Sequence, residues 1–397
     1  MSLAELALFG GTPLFDARRP AGQQYFPSWS EYAALLKDIF DRQYYTNHGP
    51  LAQKLEQRLA DHLGVRHAIT VTNEFIGLAL AGQALGVRGQ VIVPGLCSVG
   101  TPLSLDWTEG RPLFCDVDPR TGLMAVDDVS VLLERQQVSA ILGVNPWGDA
   151  VNGPALEDLA ARFRIPIYFD SSHGFDCEVS ARRLGGFGAL EVMSFESSNI
   201  IGSAEGGVVC TQDDNLAARI RNMRSNYGMG PPVPVGRTGN GRMSEAQAAI
   251  ALFNLDQLPT YCARNLRLAA IYSNGLAGTP GIGVRTPTGV TRSNNQSVIC
   301  LIDEAAFGLT RNELIQVLRA ENVCVGDGFG PPAYRRYAAG WKRQTAELPN
   351  VEWYSARVIE LPTHSSLADH DVQRVVDLIA SIQRNAEGIR NRLAMAA

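Results

Sequence analysis

Between residues 65 and 210 the sequence alternates short apolar runs with segments of helical spacing, and this alternation is the strongest constraint on the fold. FIGLALAGQAL (75–85) and PALEDLAARF (154–163) have helical spacing. The candidate strands are HAITVT (67–72), QVIVPG (90–95), PLFCDVD (112–118), VSAILGVN (138–145), IPIYFDSS (165–172), EVMSFES (191–197) and GGVVCT (206–211). Strands that are almost entirely apolar predict an α/β fold with a mostly parallel sheet covered on both faces. Ligands of such sheets bind at the carboxyl ends of the strands.

The sequence changes character in its last third. NLAARIRNMRSNYG (215–228) predicts an exposed amphipathic helix that ends at Gly228, and a Pro- and Gly-rich loop follows at 230–243. Residues 244–278 predict one long helix, which Pro259 is expected to kink. The strand and helix patterns beyond it predict a smaller α+β domain. We therefore place a large α/β domain, with the N-terminal segment, at 1–260 and a small C-terminal α+β domain at 261–397.

Composition excludes several classes of function. The chain has 397 residues, of which 45% are hydrophobic, and a formal net charge of −5, which argues against a nucleic-acid-binding face. No apolar run approaches the ~20 residues of a membrane span. The N-terminus has no basic segment before its apolar residues, so no signal peptide is predicted.

Cysteines and histidines indicate neither disulfides nor a metal. The seven cysteines are dispersed, with no CxxC pair, which is typical of reduced thiols and predicts a cytoplasmic protein. The six histidines have no ligand-like spacing, and His62 and His67 are interpreted as structural. No metal site is predicted.

Lysine is almost absent. Only three of the 35 basic residues are lysines, at positions 37, 54 and 342. Residues 55–341 therefore carry no side-chain amine.

Several segments together resemble the DegT/StrS-type sugar aminotransferases, which are fold-type-I enzymes that use pyridoxal phosphate (PLP). The resemblance covers nearly the whole chain. It rests on LFGGTPLF (8–15), GPLAQKLEQRLADHLGVRHAITVTN (49–73), FDSSHGFDCE (169–178), SFESSNIIGSAEGGVV (194–209), TGNGRMSEAQAAIALFNLDQL (238–258) and LPTHSSLADHDVQRVV (361–376). It implies an aspartate-aminotransferase-like large domain and a small-molecule substrate, usually a nucleotide-linked keto sugar.

The resemblance also implies roles for individual residues. Asp170 matches the aspartate that holds the pyridine nitrogen of PLP, and His173 follows at the family's His/Gln position. Ser194 matches a serine that contacts the phosphate. Asn240 and Arg242 match a GxNxR loop that enters the neighbouring subunit's site, which predicts a homodimer with shared active sites.

The lysine that the family uses to bind PLP is replaced by Asn199. The family pattern SFHxxK becomes SFESSN at 194–199. An amide is neutral and forms no Schiff base, so no covalently bound cofactor is expected.

Two further positions of the cofactor cleft also differ from the family. The family's NGT turn at the first strand becomes Asn73, Glu74 and Phe75, which brings a carboxylate to the place of the phosphate. The family's ring-covering aromatic aligns with Ser98, or with Cys97 after a one-residue shift. Asn73, Ser98, Asp170, Ser194 and Asn240 are therefore interpreted as vestigial PLP positions, and non-covalent binding of PLP or its amine form PMP is disfavoured.

The remaining cleft residues favour acid–base chemistry. Glu74, Asp170, Glu196 and His173 all map to it, and crowded carboxyl groups push their pKa values apart. The alternative is that Glu74 and Glu196 only pair with arginines such as Arg242. Cys97 is interpreted as a packing residue rather than a nucleophile.

Candidate substrate contacts lie around the cleft mouth. Trp147 is predicted either to stack on a substrate or to close the cleft edge. Tyr45, with Tyr44 and Asn47, lines the mouth or forms a surface turn. The segment 326–337 aligns with the part of the family that closes over the sugar.

Three functions remain open from the sequence. The leading hypothesis is a biosynthetic enzyme that acts without PLP by acid–base catalysis through Glu74, Asp170, His173 and Glu196, with Asn199 in the lysine's place. The second is a sugar aminotransferase- or dehydratase-like enzyme that binds PLP or PMP non-covalently. The third is an inactive subunit that partners an active homologue.

Overall fold

A computed structural model describes residues 3–227, 230–337 and 347–396. Its twelve strands are β1 His67–Val71, β2 Arg88–Pro94, β3 Glu109–Cys115, β4 Val138–Val144, β5 Ile167–Asp170, β6 Glu178–Val179, β7 Arg182–Arg183, β8 Leu190–Ser194, β9 Gly207–Thr211, β10 Ile282–Val284, β11 Val298–Ile302 and β12 Val358–Leu361.

Helices connect these strands. They are α1 Trp29–Arg42, α2 Pro50–Leu63, α3 Glu74–Ala84, α4 Gly100–Leu103, α5 Val126–Arg135, α6 Gly153–Phe163, α7 Asp214–Arg224, α8 Glu245–Leu276, α9 Glu304–Phe307, α10 Arg311–Ala320, α11 Ala333–Tyr337, α12 Pro349–Ser355, α13 Asp369–Arg384 and α14 Ala386–Ala396. Short 3-10 turns occur at Leu3–Glu5, Ala7–Phe9 and Ser104–Trp107.

Seven strands form the central sheet in the order β1-β9-β8-β5-β4-β2-β3. The pairs from β8 to β3 are all parallel, and β9 runs antiparallel to both β1 and β8. Side chains of successive residues enter two separate cores: Ile92 and Phe169 face one, and Val93 and Tyr168 face the other. The predicted fold class, with a mostly parallel sheet covered on both faces, is confirmed.

A second, smaller sheet has the antiparallel order β10-β11-β12 and packs against α10 and α13 around a third core. Helix α8 joins the two parts without interruption at Pro259. Leu258 belongs to a core of the large sheet and Leu268 to the small one. Leu6 and Phe15 of the N-terminal segment also pack in the third core, and the division at 260/261 stays a prediction.

The prediction for 215–228 was wrong in two respects. Helix α7 ends at Arg224, and Gly228 lies outside the described residues. One side of α7 is buried rather than exposed, because the Arg224 guanidinium donates to the Glu56 carboxylate at 2.7 Å in the interior. The described residues contain no helix that is long and apolar enough to cross a membrane.

Candidate active site

A cavity of about 200 Å³ opens at the carboxyl ends of the parallel strands, as predicted for this type of sheet. Three carboxyl groups face it, those of Glu74, Asp170 and Glu196. The other predicted site residues in its lining are Ser98, His173, Ser194 and Asn199. These seven residues, from four separate segments of the sequence, thus meet in one small space.

Asp170 ends β5 and is held in place by hydroxyl and amide groups. Thr101 Oγ1 donates to one carboxylate oxygen at 2.6 Å, and Ser172 donates to the other from Oγ at 2.7 Å and from its backbone N–H at 3.1 Å. Asp170 is 4% exposed. Three donors thus fix the orientation of this buried carboxyl group.

Glu74 is the first residue of α3, whose N-terminus is capped by the Asn73 side chain at 2.9 Å. Its carboxyl group lines the same cavity as that of Asp170 and lies close to it. Burial first, and then the charge of Asp170, hold the pKa of Glu74 well above its usual range. Glu74 therefore holds its proton more tightly than an ordinary glutamate does.

Glu196 and Glu205 extend the negative character of the site. The Glu196 carboxylate accepts hydrogen bonds from Ser197 Oγ at 2.6 Å and from Ser198 N–H at 2.9 Å, so it closes its own turn. Burial and the charge of Glu196 raise the pKa of Glu205. No ion pair to Glu74, Asp170, Glu196 or Glu205 occurs in the part of the chain that the structure describes. The Arg242 Nε instead donates to Asn240 at 3.0 Å.

Asn199 occupies the position of the family's lysine and is 6% exposed. Its Oδ1 accepts a hydrogen bond from Gln296 Nε2 at 3.1 Å. Gln296 lies 97 residues further along the chain, in the loop before β11, and sequence reasoning missed it.

His173 belongs to a group of near-parallel rings. Its Nδ1 accepts the Trp147 backbone N–H at 3.1 Å, so the neutral ring carries its proton on Nε2. The His173 and Trp147 rings lie 5.8 and 5.1 Å from that of Phe329, which lines the cavity. Phe329 was also missed, although it lies in the 326–337 segment that was expected to close over the substrate.

The predicted outer contacts lie away from this cavity within one chain. Trp147 is only 1% exposed and packs against Phe329 and the Arg285 guanidinium, so it closes the cleft edge rather than presenting a stacking face. Tyr45 is 49% exposed and contacts Phe40. Asn240 lines a different cavity, and Arg242 donates a hydrogen bond to the Asn240 side chain.

Cys97 is 1% exposed and its thiol donates to the Pro94 carbonyl at 3.2 Å. Burial, followed by the charge of Asp170, holds the pKa of the Cys97 thiol well above its usual range, which suits packing and not nucleophilic attack. Among the described residues no group of three or more His, Cys, Asp or Glu side chains could hold a metal ion.

The fold and the position of the cavity define a protein with the architecture of the PLP fold-type-I aminotransferases. A crystal structure of DesI in the presence of its TDP-sugar product superposes with a TM-score of 0.93 at 36% identity, covering 99% of this chain and 100% of that one. DesV from S. venezuelae, in complex with a ketimine intermediate, superposes with a TM-score of 0.80 at 26% identity, covering 89% and 94%.

The model of the DegT/DnrJ/EryC1/StrS aminotransferase family matches residues 29–380, and the chain belongs to this family. It is also 28% identical over 364 residues to a dTDP-4-amino-4,6-dideoxy-D-glucose transaminase from Shigella dysenteriae, covering 91% of this chain and 98% of that protein. Relatives of this kind are sugar aminotransferases, which supports an enzyme rather than a structural or binding protein.

Proposed function

We propose that this chain is an enzyme that moves protons on a nucleotide-linked keto sugar, with the Glu74–Asp170 carboxyl pair in place of lysine-bound PLP. The substrate class is supported by the relatives, whose names describe TDP-linked and dTDP-linked sugars. A transaminase that makes a 4-amino sugar takes the corresponding 4-keto sugar, so a keto sugar is the natural ligand of such a cleft.

The observation that carries the proposal is that the Glu74 and Asp170 carboxyl groups line one small cavity, close enough for each to influence the other's proton. Two carboxyl groups that share one proton act as acid and base in the same site. Lysine-bound PLP fits this cleft poorly, because residue 199 has no amine and Glu74 already occupies the carboxylate that the family uses for the pyridine nitrogen. The proposal therefore routes no step through PLP.

The proposed step is an enolisation. Glu74 and Asp170 both line the cavity, and the carboxylate of the pair accepts the proton from the carbon next to the carbonyl group. The electron pair of the broken C–H bond forms a C=C bond, and the carbonyl π electrons move to the oxygen. Return of the proton to the same face of that carbon regenerates the substrate with its hydrogen exchanged, and return to the opposite face gives the epimer, in both cases without an oxidant.

Solvent exchange tests this proposal. Purified protein without added cofactor is incubated in D₂O with dTDP-4-keto-6-deoxy-D-glucose, and proton NMR follows the hydrogens beside the carbonyl group. We expect deuterium to enter in the presence of the wild-type protein, and Glu74→Gln to slow the exchange by about 10²–10⁴-fold. No enzyme-dependent exchange would favour an inactive subunit, and the proposal would fail.

A second candidate function is supported by Asp170, Ser194 and Asn240, which are retained at positions where the family holds PLP. Under this alternative the chain binds PLP or PMP non-covalently. The same assay separates the two functions, since exchange that appears only after PLP or PMP is added would support the alternative and contradict the proposal.

We also propose a homodimer. The loop 237–241, from the segment that resembles the family's intersubunit loop, lines a cavity of about 560 Å³ together with Ile76, Trp107 and Met223. Trp29, Phe40 and Trp107 are 76%, 61% and 52% exposed, and a contact between subunits would bury such apolar side chains. A second copy of the chain is the occupant that the retained loop indicates.

A further inference from the structure

The orientation of the Gln296 side-chain amide is fixed by the backbone. The Ile200 N–H donates to Gln296 Oε1 at 3.1 Å, so the Gln296 Nε2 faces the other way. Gln296 is 3% exposed, and its backbone carbonyl oxygen accepts hydrogen bonds from Gln23 Nε2 at 2.6 Å and from Thr363 Oγ1 at 2.7 Å. Gln296 is therefore held firmly as a donor toward Asn199.

The orientation of Gln296 fixes that of the Asn199 side-chain amide. Because Gln296 Nε2 donates to Asn199 Oδ1 at 3.1 Å, the Asn199 Nδ2 points away from Gln296. Asn199 lines the cavity, and its Nδ2 has no hydrogen-bond partner among the residues that the structure describes. A buried amide thus presents N–H donors where the family has its lysine.

A backbone N–H group also determines which ring nitrogen of His173 carries the proton. The Trp147 backbone N–H occupies Nδ1, so the proton of the neutral ring is on Nε2. The Asn294 side chain donates to the His173 carbonyl oxygen at 3.0 Å and holds the residue from its backbone. His173 lines the same cavity as Asn199.

We infer that Asn199 Nδ2 and His173 Nε2 form a two-donor site for the carbonyl oxygen of the substrate, with Gln296 as the positioning residue for Asn199. This inference rests on the proposed function and names the substrate group that the site binds, a ketone oxygen. Each donor is oriented by a backbone N–H group, that of Ile200 through Gln296 and that of Trp147 directly.

Such a site complements the carboxyl pair chemically. Enolisation places negative charge on the carbonyl oxygen, and donors that are already oriented stabilise that charge without reorganisation. The carboxyl pair serves the carbon as the base, so the oxygen needs donors of its own. The donor site and the proton-transfer site therefore divide the reaction between the oxygen and the adjacent carbon.

Infrared difference spectroscopy of a bound ketone tests the site independently of turnover. The probe is dTDP-4-keto-6-deoxy-D-glucose labelled with ¹³C at the carbonyl carbon, bound to Glu74→Gln protein so that exchange is slow. We expect the carbonyl stretch to move to lower frequency on binding. The added substitution Asn199→Leu should remove much of this shift, and Gln296→Leu should reduce it because the amide loses its orientation.

A second variant guards against a folding defect. Asn199→Asp keeps the shape and still accepts from Gln296 Nε2, but its carboxylate has no N–H to donate, so it should also lose the shift. In otherwise wild-type protein, Asn199→Leu and Asn199→Asp should each lower the rate constant of deuterium exchange by about 10²-fold with little change in KM. Gln296→Leu should likewise reduce the carbonyl shift and lower the rate constant of deuterium exchange.

The outcomes separate the inference from the proposed function. An unchanged carbonyl shift in both Asn199 variants would overturn the two-donor site, whatever the exchange assay shows. A carbonyl shift that depends on Asn199, in a protein without any exchange activity, would support the two-donor site and contradict the proposed function.

Discussion

Glu74 is the residue on which the chemistry of the cleft depends. In the family the corresponding position is a glycine of a phosphate-binding turn, whereas here a carboxyl group begins α3 and reaches Asp170. The sequence predicted that Glu74, Asp170, Glu196 and His173 would share the cleft, because parallel strands end at one edge of a sheet. It did not predict how close the Glu74 carboxyl group lies to that of Asp170, since that depends on rotamers and on the donors that surround Asp170.

The raised pKa of Glu74 makes a prediction about stability. A carboxyl group that holds its proton more tightly in the folded chain than in the unfolded chain lowers stability as the pH rises above its usual pKa. Glu74→Gln supplies an N–H donor to Asp170 and does not titrate. We expect the variant to be more stable than the wild type by about 1–2 kcal/mol at about pH 8, and the difference to disappear near pH 4.

Urea unfolding at several pH values measures this difference. Ser98→Ala is a suitable control, because Ser98 lines the same cavity and does not titrate. Equal stabilities of the wild type and Glu74→Gln at every pH would show that Glu74 is ionised in the folded protein.

At the scale of elements, the loop between β10 and β11 connects the two sheets at the site. Asp149 of the large domain binds the first part of this loop. Asp149 is fully buried and accepts hydrogen bonds from Arg285 Nη2 at 2.6 Å and from the N–H groups of Thr288 and Gly289 at 3.0 and 2.7 Å. The same loop carries Asn294 and Gln296 to His173 and Asn199. The loop thus determines where the two donors of the cavity point.

We predict that Asp149→Asn destabilises the protein by about 3–5 kcal/mol, because Arg285 is then buried without a charge partner. The matched control is Asp41→Asn, which removes one carboxylate from an exposed pair with Lys37 and should cost less than about 0.5 kcal/mol. Urea unfolding followed by circular dichroism compares them. Similar losses in the two variants would contradict the role given to the buried pair.

The elements themselves were largely predictable, and the contacts between distant loops were not. Each of the seven predicted strands of the central sheet exists, because an apolar run of that length has few other structures available in an α/β chain. The burial of helix α7 was predicted wrongly, because an arginine such as Arg224 indicates an exposed position in a sequence pattern. In the structure Arg224 is buried and pairs with Glu56. Gln296 left no local signal, and Phe329 only that of its segment, because their roles arise only when the small domain folds against the large one.

At the scale of the whole molecule, the proposed homodimer predicts a particle of about twice the 42.9 kDa chain mass. Trp107 is 52% exposed and lines the cavity beside the loop 237–241, so Trp107→Asp should weaken association. Trp353→Asp is the control, since Trp353 is 42% exposed and lies against Arg357 instead. Sedimentation velocity at micromolar concentration measures both.

A wild-type protein that sediments as a single chain under these conditions would contradict the homodimer. Equal dissociation by the Trp107 and Trp353 substitutions would place the contact on another surface.

The central claim is that Asn199 and the Glu74–Asp170 pair have replaced the lysine and the cofactor cradle of the family. The most direct measurement is a PLP titration followed by visible absorbance, with borohydride reduction and peptide mass analysis. Wild-type protein should give no saturable band and no stoichiometric pyridoxyl adduct, because residues 55–341 contain no lysine. Glu74→Gly/Phe75→Thr should bind PLP more tightly by roughly tenfold to several hundredfold, and adding Asn199→Lys should produce the band and an adduct at residue 199. A stoichiometric adduct in the wild-type protein, at whichever lysine, would contradict the account.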